Sequence, residues 1–152
     1  MGEKDAIDEI LEFAIAREVE ANQFYMELAD WLKNPAMREL VLEFAKEELE
    51  HKAKLELEVL KTGKVLHPVR KKAEFKADDY MADFGIEPDM NYKDLLRVAI
   101  KKEKKSLRLY MDLAAIIDDK DSRETLLSIA EEEARHKALF EIEYDEARLR
   151  KD

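Results

Sequence analysis

The chain contains no cysteine, and only three glycines and three prolines are spread over its 152 residues. The missing thiols exclude disulfide staples, thiolate nucleophiles, cysteine-bound iron–sulfur clusters and rubredoxin-type iron held by four thiolates. They fit a reducing compartment, and a cytoplasmic location is expected. The scarcity of glycine and proline excludes collagen-like and low-complexity chains. It also speaks against β-rich folds, which need turn residues roughly every 8–12 positions. Long apolar runs are absent: the longest unbroken one is Leu113–Ile117, against the ~20 residues that cross a bilayer. No apolar signal segment opens the sequence. Met1-Gly2 is followed by Ala6, where a myristoylation site wants Ser or Thr, so no membrane partner is expected. Positive charge is in deficit. Lys and Arg number 27 against 37 Asp and Glu, a net −10 that disfavours nucleic acid and anionic lipid.

What the chain has in plenty is charge and aliphatic surface together. Hydrophobic residues make up 46%, enough for the core of one domain over 1–152, and charged residues make up 42%, against about a quarter in an average globular domain. Four long helices account for this mixture. The first is expected from Asp5 to Leu32. The second follows Asn34-Pro35, a cap and a first-turn proline, and runs to about Lys61, where Thr62-Gly63 stops it. The third starts after Asn91, with Asp94 as a reciprocal capping partner, and runs to Ile117. The fourth starts near Asp121, paired with Glu124, and runs to about Leu149.

Two connections are only a few residues long, so helices one and two, and three and four, form antiparallel hairpins (about 5–61 and 92–149). The third connection, 64–91, holds Pro68, Gly85 and Pro88, with a short helix expected near Ala77–Phe84. So long a link is unusual inside a compact domain, but it is the natural crossover of an all-α four-helix bundle.

The two hairpins are copies of one unit. At an offset of 85 residues, Ala14, Ile15, Glu18, Tyr25, Leu28 and Ala29 match Ala99, Ile100, Glu103, Tyr110, Leu113 and Ala114. Likewise Ala45, Glu47, Glu48, His51, Lys52, Ala53 and Glu56 match Ala130, Glu132, Glu133, His136, Lys137, Ala138 and Glu141. No gap is needed in either stretch, and the copies should be related by a pseudo-twofold axis.

Alternating steps of four and three pick out one buried stripe per helix. The stripes are Ile7-Leu11-Ala14-Glu18-Ala21-Tyr25-Leu28-Leu32, Met37-Val41-Phe44-Glu48-His51-Leu55, Tyr92-Leu96-Ala99-Glu103-Ser106-Tyr110-Leu113-Ile117 and Ser122-Leu126-Ile129-Glu133-His136-Phe140. Each carries a glutamate near its middle, and two carry a histidine three residues later. Counted outward from the hairpin turns, at ~1.5 Å per residue, Glu18 comes level with Glu48 and His51, and Glu103 with Glu133 and His136. Six polar groups therefore converge on one layer of the core. A lone buried carboxylate protonates rather than stay charged, and four together repel. Two divalent cations balance four carboxylates. An oxygen-rich set with one imidazole per ion suits iron or manganese better than thiophilic metals, and a Glu-x-x-His pair shares one helix face and can reach one ion.

At these positions the sequence resembles the ferritin-like superfamily and, within it, the rubrerythrin-like di-iron carboxylate proteins. The segments that carry the resemblance are "AIAREVEANQFYMELA" with "EFAKEELEHKAKL", then "AIKKEKKSLRLYMDLA" with "IAEEEARHKALFE". It implies a ferritin-like four-helix bundle binding two iron ions, with manganese or a mixed pair as variants. It makes Glu18 and Glu103 single-helix ligands, Glu48 and Glu133 ligands able to bridge, and His51 and His136 terminal nitrogen ligands. Tyr25 and Tyr110, otherwise plain core residues, become donors to the ligand carboxylates. The implied activity is oxidoreduction of peroxide or dioxygen. Without cysteine for a rubredoxin-like iron site, an external electron donor such as a rubredoxin-type protein is expected. Peroxide-reducing rubrerythrins carry a further Glu three residues after the third-helix ligand. Here that residue is Ser106, so the ligand exchange of the family is not expected at this position. A homodimer or larger homo-oligomer is expected, by hairpin exchange in some relatives.

Two rival readings remain. One is an iron-binding ferroxidase or storage protein, although no fifth short helix of the kind that closes ferritin cages follows Leu149. The other is a metal-free structural bundle. Elsewhere the ordinary readings hold. Glu20, Glu47, Glu50 and Glu132 are expected to be solvated, His67 to lie at the surface, and Trp31 and the methionines to fill the core. Arg70-Lys71-Lys72 and Lys101-Lys102 with Lys104-Lys105 are read as solvated faces, with docking of an acidic donor as their functional alternative.

Overall fold

A computed structural model of the chain describes residues 3–61, Tyr80 and 85–150. Four helices follow one another: α1 (Glu3–Trp31), α2 (Pro35–Val59), α3 (Tyr92–Ile116) and α4 (Lys120–Leu149). α2 begins where the Asn34 side chain accepts from the amides of Ala36, at 2.9 Å, and Met37, at 3.2 Å. Pro35 fits there because an N–H at the first helical position has no intrahelical partner to lose. α3 begins with the reciprocal box expected of Asn91 and Asp94. Asn91 Oδ1 accepts from the Asp94 amide at 2.9 Å, and the Asn91 amide donates to Asp94 Oδ2 at 3.2 Å.

α4 starts earlier than expected. Its cap is Asp119, which accepts from the Ser122 amide at 2.9 Å, and not Asp121 with Glu124. Ser122 is buried, as its place on the stripe predicts, and its hydroxyl donates to Glu58 Oε2 at 2.7 Å. Glu58, which the sequence reading passed over, is buried at this end of the bundle with Lys61 beside it.

α1 packs along α2 and α3 along α4, and the hairpins meet through α1 with α3 and α2 with α4. Cross-contacts fix the directions. Tyr25 reaches Glu103 while Tyr110 reaches Glu18, so α1 and α3 are antiparallel. His51 meets Glu132 while His136 meets Glu47, so α2 and α4 are antiparallel as well. The pseudo-twofold axis thus lies across the helices and leaves the bundle between α1 and α3 on one face and between α2 and α4 on the other. α2 ends beside Ile7, Ile117 and Leu126, whereas α3 begins at the opposite end, beside Leu32 and Val41. The crossover must therefore travel the length of the bundle, roughly 35–40 Å for a helix of this length. That distance accounts for its size. The helix expected at Ala77–Phe84, His67, Arg70-Lys71-Lys72 and the stop at Thr62-Gly63 lie outside the described residues, apart from Tyr80. The Tyr80 ring is buried, and its hydroxyl donates to Asp112 Oδ2 at 2.7 Å.

The core has two apolar halves. One holds Ile7, Leu11, Leu55, Leu109, Leu113, Leu126 and Ile129, and the other holds Phe24, Leu28, Val41, Phe44, Leu96 and Phe140. Between them lies a layer of buried Glu18, Glu48, His51, Glu103, Glu133 and His136. Trp31, Met26 and Met111 do not fill the core: they are 41%, 51% and 50% exposed. Each flanks the buried stripe by one position, which on a helix turns a side chain by about 100°. Met37 and Met90 do pack against the apolar half nearest the α1–α2 turn.

Replacing Asn91 with Ala removes one side of its capping box. Urea denaturation should show α3 anchoring weakened by about 1 kcal/mol, with the midpoint lowered and the slope unchanged.

Candidate metal centre

The six polar residues of the layer form two overlapping groups. Glu18, Glu48, His51 and Glu133 make one, and Glu48, Glu103, Glu133 and His136 the other. Within each group one ligand atom per residue lies within 4.8 Å of all the others. Glu48 and Glu133 belong to both, so they stand where bridging carboxylates would. His51 Nδ1 lies 3.2 Å from Glu18 Oε2 and from Glu133 Oε1, and His136 Nδ1 lies 3.6 Å from Glu48 Oε1 and 3.7 Å from Glu103 Oε1.

A second ring holds these groups in place. Tyr110 donates to Glu18 Oε1 at 2.5 Å, and Tyr25 donates to Glu103 Oε1. Each tyrosine thus serves the carboxylate of the other hairpin. His51 Nε2 lies 2.6 Å from Glu132 Oε2, and His136 Nε2 lies 3.1 Å from Glu47 Oε1. A carboxylate can only accept here, so each imidazole donates from Nε2 and turns Nδ1 inward toward the shared glutamates. Arg135 holds Glu47 from outside at 2.5 Å. Glu47 and Glu132 are therefore half-buried positioning groups and not the solvated residues expected, whereas Glu20 and Glu50 are exposed. One signal for them was present in the sequence: they occupy matching positions in the two copies, one residue before the stripe glutamates.

The layer is incomplete as a hydrogen-bonded network. Both oxygens of Glu48 and of Glu133, Glu103 Oε2 and His136 Nδ1 are buried without a hydrogen-bond partner among the described residues. Unpaired buried polar atoms cost roughly 1–3 kcal/mol each, more if charged. These atoms all belong to the two groups, and they are hard oxygen and borderline nitrogen donors. The residues present fit two divalent cations, one per group.

Without metal, the layer binds protons instead. Burial, then the neighbouring acids, raises the Glu48 carboxyl well above the usual carboxylate range and Glu133 to about 8. Burial works to lower the histidines, but hydrogen-bonding carboxylates outweigh it, pushing His51 up to about 11 and His136 above its ordinary value. Burial and adjacent acids likewise hold the Tyr25 and Tyr110 hydroxyls protonated. The surroundings are not symmetric. Phe44 stacks on His136, with centroids 3.8 Å apart, and Phe140 on Tyr25, at 5.9 Å. The matching positions beside His51 and Tyr110 are Ile129 and Leu55.

A bundle of this connectivity, with two carboxylate–histidine groups sharing two glutamates, is a ferritin-like fold carrying a metal-type site. Residues 9–144 match the rubrerythrin family model, and the chain belongs to that family. It is similar in structure to a hypothetical protein from Pyrococcus furiosus, with a TM-score of 0.70, 23% identity, and 91% of this chain and 88% of that one covered. It is similar also to KatB, a manganese catalase from Anabaena PCC7120, with a TM-score of 0.70, 15% identity, and 97% and 74% covered. These two likenesses concern the fold. No curated protein matches the chain.

Two predictions follow from the layer itself. Glu133 and the histidines hold protons in the folded, metal-free chain that the unfolded chain releases. The Glu133 contribution is complete below pH 4.5 and is lost as pH rises toward about 8. That of His51 is complete below 6.5 and is lost toward about 11. Metal-free protein should therefore lose stability between pH 5 and 8, by about 1.4 kcal/mol per unit for each such group. Urea titrations at several pH values would show it, and divalent metal should abolish the slope by displacing the protons. Replacing Glu132 with Ala frees the His51 ring and should weaken metal binding roughly 10–100-fold, measured by competition with a chromophoric chelator.

Proposed function

We propose that the chain is a dinuclear iron oxidoreductase that reduces peroxide or dioxygen with electrons from a separate donor. The observation that supports it most is the set of buried, unpartnered oxygens on Glu48 and Glu133, which both groups share. Four ionised carboxylates and two divalent ions leave the layer neutral. With one ion or none, buried charge remains and must be met by protons.

The oxygen-rich donor set, with one imidazole per ion, favours iron. Manganese suits the same donors, and the fold likeness to a manganese catalase makes a dimanganese centre the second reading. Bound iron would supply one electron from each ion to the oxidant. In this reading Glu18 and Glu103 would each serve one ion, Glu48 and Glu133, which belong to both groups, would serve both, and His51 and His136 would offer Nδ1. Tyr110 and Tyr25 keep the Glu18 and Glu103 carboxylates oriented by donating to one oxygen and leaving the other for metal. The apolar halves on either side exclude bulk water and strengthen each polar contact in the layer. Ser106 offers a small hydroxyl where peroxide-reducing relatives carry a carboxylate, so no exchange of ligands at this position forms part of the proposal.

A cytoplasmic setting belongs to the same reading and is supported by the absence of cysteine. So does self-association as a homodimer or larger assembly. Leu42, Leu49 and Leu57 on α2, with Leu127 and Ile142 on α4, expose apolar surface that a second copy would cover. Among the described residues no helix is long and apolar enough to cross a membrane.

Anaerobic loading tests the proposal. Protein given Fe2+ should retain two ions per chain by elemental analysis, one for each group. Peroxide should then oxidise them faster than free Fe2+, followed as near-ultraviolet absorption. Retention of two ions with oxidation no faster than in buffer would leave a metal-binding protein without the proposed activity. Protein isolated from its native host with manganese in place of iron would favour the second reading.

A further inference from the structure

The two groups share Glu48 and Glu133 and are matched residue for residue, yet the acids behind their histidines are held differently. Glu132 divides its oxygens. Its Oε2 lies 2.6 Å from His51 Nε2, and its Oε1 faces Lys54 Nζ at 3.9 Å. Glu47 uses one oxygen for two donors: Oε1 lies 3.1 Å from His136 Nε2 and 2.5 Å from Arg135 Nη2. The repeat sharpens the contrast. Arg135 in the second copy stands where the first has Glu50, and Lys54 in the first stands where the second has Leu139. A guanidinium thus backs one imidazole at a position where the other copy supplies an acid.

An imidazole that donates to a carboxylate gains electron density at its other nitrogen and binds a cation more tightly there. The gain depends on how much of the acceptor's charge the imidazole commands. A guanidinium 2.5 Å away on the same oxygen takes the larger share and leaves His136 a longer, diluted hydrogen bond. Lys54, on the other oxygen and beyond hydrogen-bond reach, takes little. The inner nitrogens follow the same order. His51 Nδ1 is drawn to 3.2 Å from both Glu18 and Glu133, whereas His136 Nδ1 stands 3.6 Å from Glu48 and 3.7 Å from Glu103. One contact opposes this. The Phe44 ring stacks on His136 and favours the positive charge that this imidazole would gain on a metal. Such a contact is worth roughly two- to fivefold in affinity, against the roughly 10–100-fold that a histidine's acid partner commands.

We infer that the two groups fill unequally and in a fixed order: the first divalent ion takes the group of Glu18 and His51, the second takes that of Glu103 and His136 more weakly, and Arg135 sets the difference by competing for Glu47. The inference rests on the dinuclear reading given above. Repulsion between neighbouring cations weakens any second ion, but it does not choose which group fills first. Arg135 and Glu50, both exposed, make that choice from outside the layer. When metal is scarce, the chain would carry a single ion at Glu18 and His51.

Stepwise Co2+ affinities, measured by competition with a chromophoric chelator, test the order. His136→Ala should leave the first step within about threefold of its original strength, whereas His51→Ala should weaken that step roughly tenfold or more. Two changes outside the layer test the cause. Arg135→Gln releases Glu47 to His136 and should tighten the second step roughly fivefold while the first stays as it was. Glu50→Arg places a cation at the position equivalent to Arg135 and should weaken the first step by about as much. Damage to the fold would weaken both steps, so a tightening of the second alone separates the proposed role of Arg135 from a merely structural one. Equal losses of the first step in the two histidine variants, or the larger loss in His136→Ala, would overturn the order. A second step unmoved by Arg135→Gln would overturn the part given to Arg135. An unaltered chain that takes up fewer than two Co2+ would overturn the dinuclear reading, and the inference with it.

Discussion

Four glutamates cannot share one water-free layer with their charges uncompensated, and this electrostatic constraint organises the whole molecule. Burial puts Glu18, Glu48, Glu103 and Glu133 where charge is most costly. Either protons or metal ions must answer it. The metal-free layer takes the first course, with the Glu48 and Glu133 carboxyls pushed upward by burial and both histidines raised by the carboxylates around them. The second course uses the same atoms. Most of the layer's oxygens left without hydrogen bonds are on Glu48 and Glu133, which the two groups have in common, and the other is on Glu103. Everything else in the bundle serves to keep these groups level. Antiparallel hairpins set their height, the crossover spans the length, and two hydrocarbon halves seal the layer from both ends.

The ring around the layer is built across the molecule. Each tyrosine is on α1 or α3 and bonds the carboxylate of the other, and each outer glutamate is on α2 or α4 and bonds the imidazole of the other. The repeat explains why these contacts come in pairs, since one favourable contact made across a twofold axis is made twice. The copies also diverge in the apolar residues beside the layer. Phe44 and Phe140 surround His136 and Tyr25, whereas Ile129 and Leu55 take the equivalent places, so the two halves keep the same polar groups in unlike apolar surroundings.

Much of this was legible in the chain because the inner layer obeys helical periodicity. Glu18, Glu48, Glu103 and Glu133 fall on apolar stripes, and a charge on such a stripe is visible without coordinates. Heights could be counted from the hairpin turns because helices rise evenly. Glu47 and Glu132 were not legible as positioning groups. They sit one residue off the stripe, where a solvated glutamate is the ordinary outcome, and only the neighbouring helix turns them toward an imidazole. Trp31 was misplaced for the opposite reason: a large aromatic suggests burial, but its position beside the stripe faces outward. Asp119 and Asp121 are both good caps by residue type, so local pattern alone did not choose between them; the Asp119 side chain is the one that accepts from an amide three residues on, that of Ser122.

The crossed pattern of these contacts means that neither hairpin is self-sufficient. Each lends its tyrosine and its outer acid to its counterpart and receives the same in return. A cation seated here would therefore also be a clasp, because each group that could hold it takes side chains from both halves. Its binding free energy adds directly to the cohesion of the halves and grows with the logarithm of free cation concentration. Occupancy and folding would thus become a single equilibrium, and a cell poor in the right ion would hold this chain in a looser condition than one well supplied.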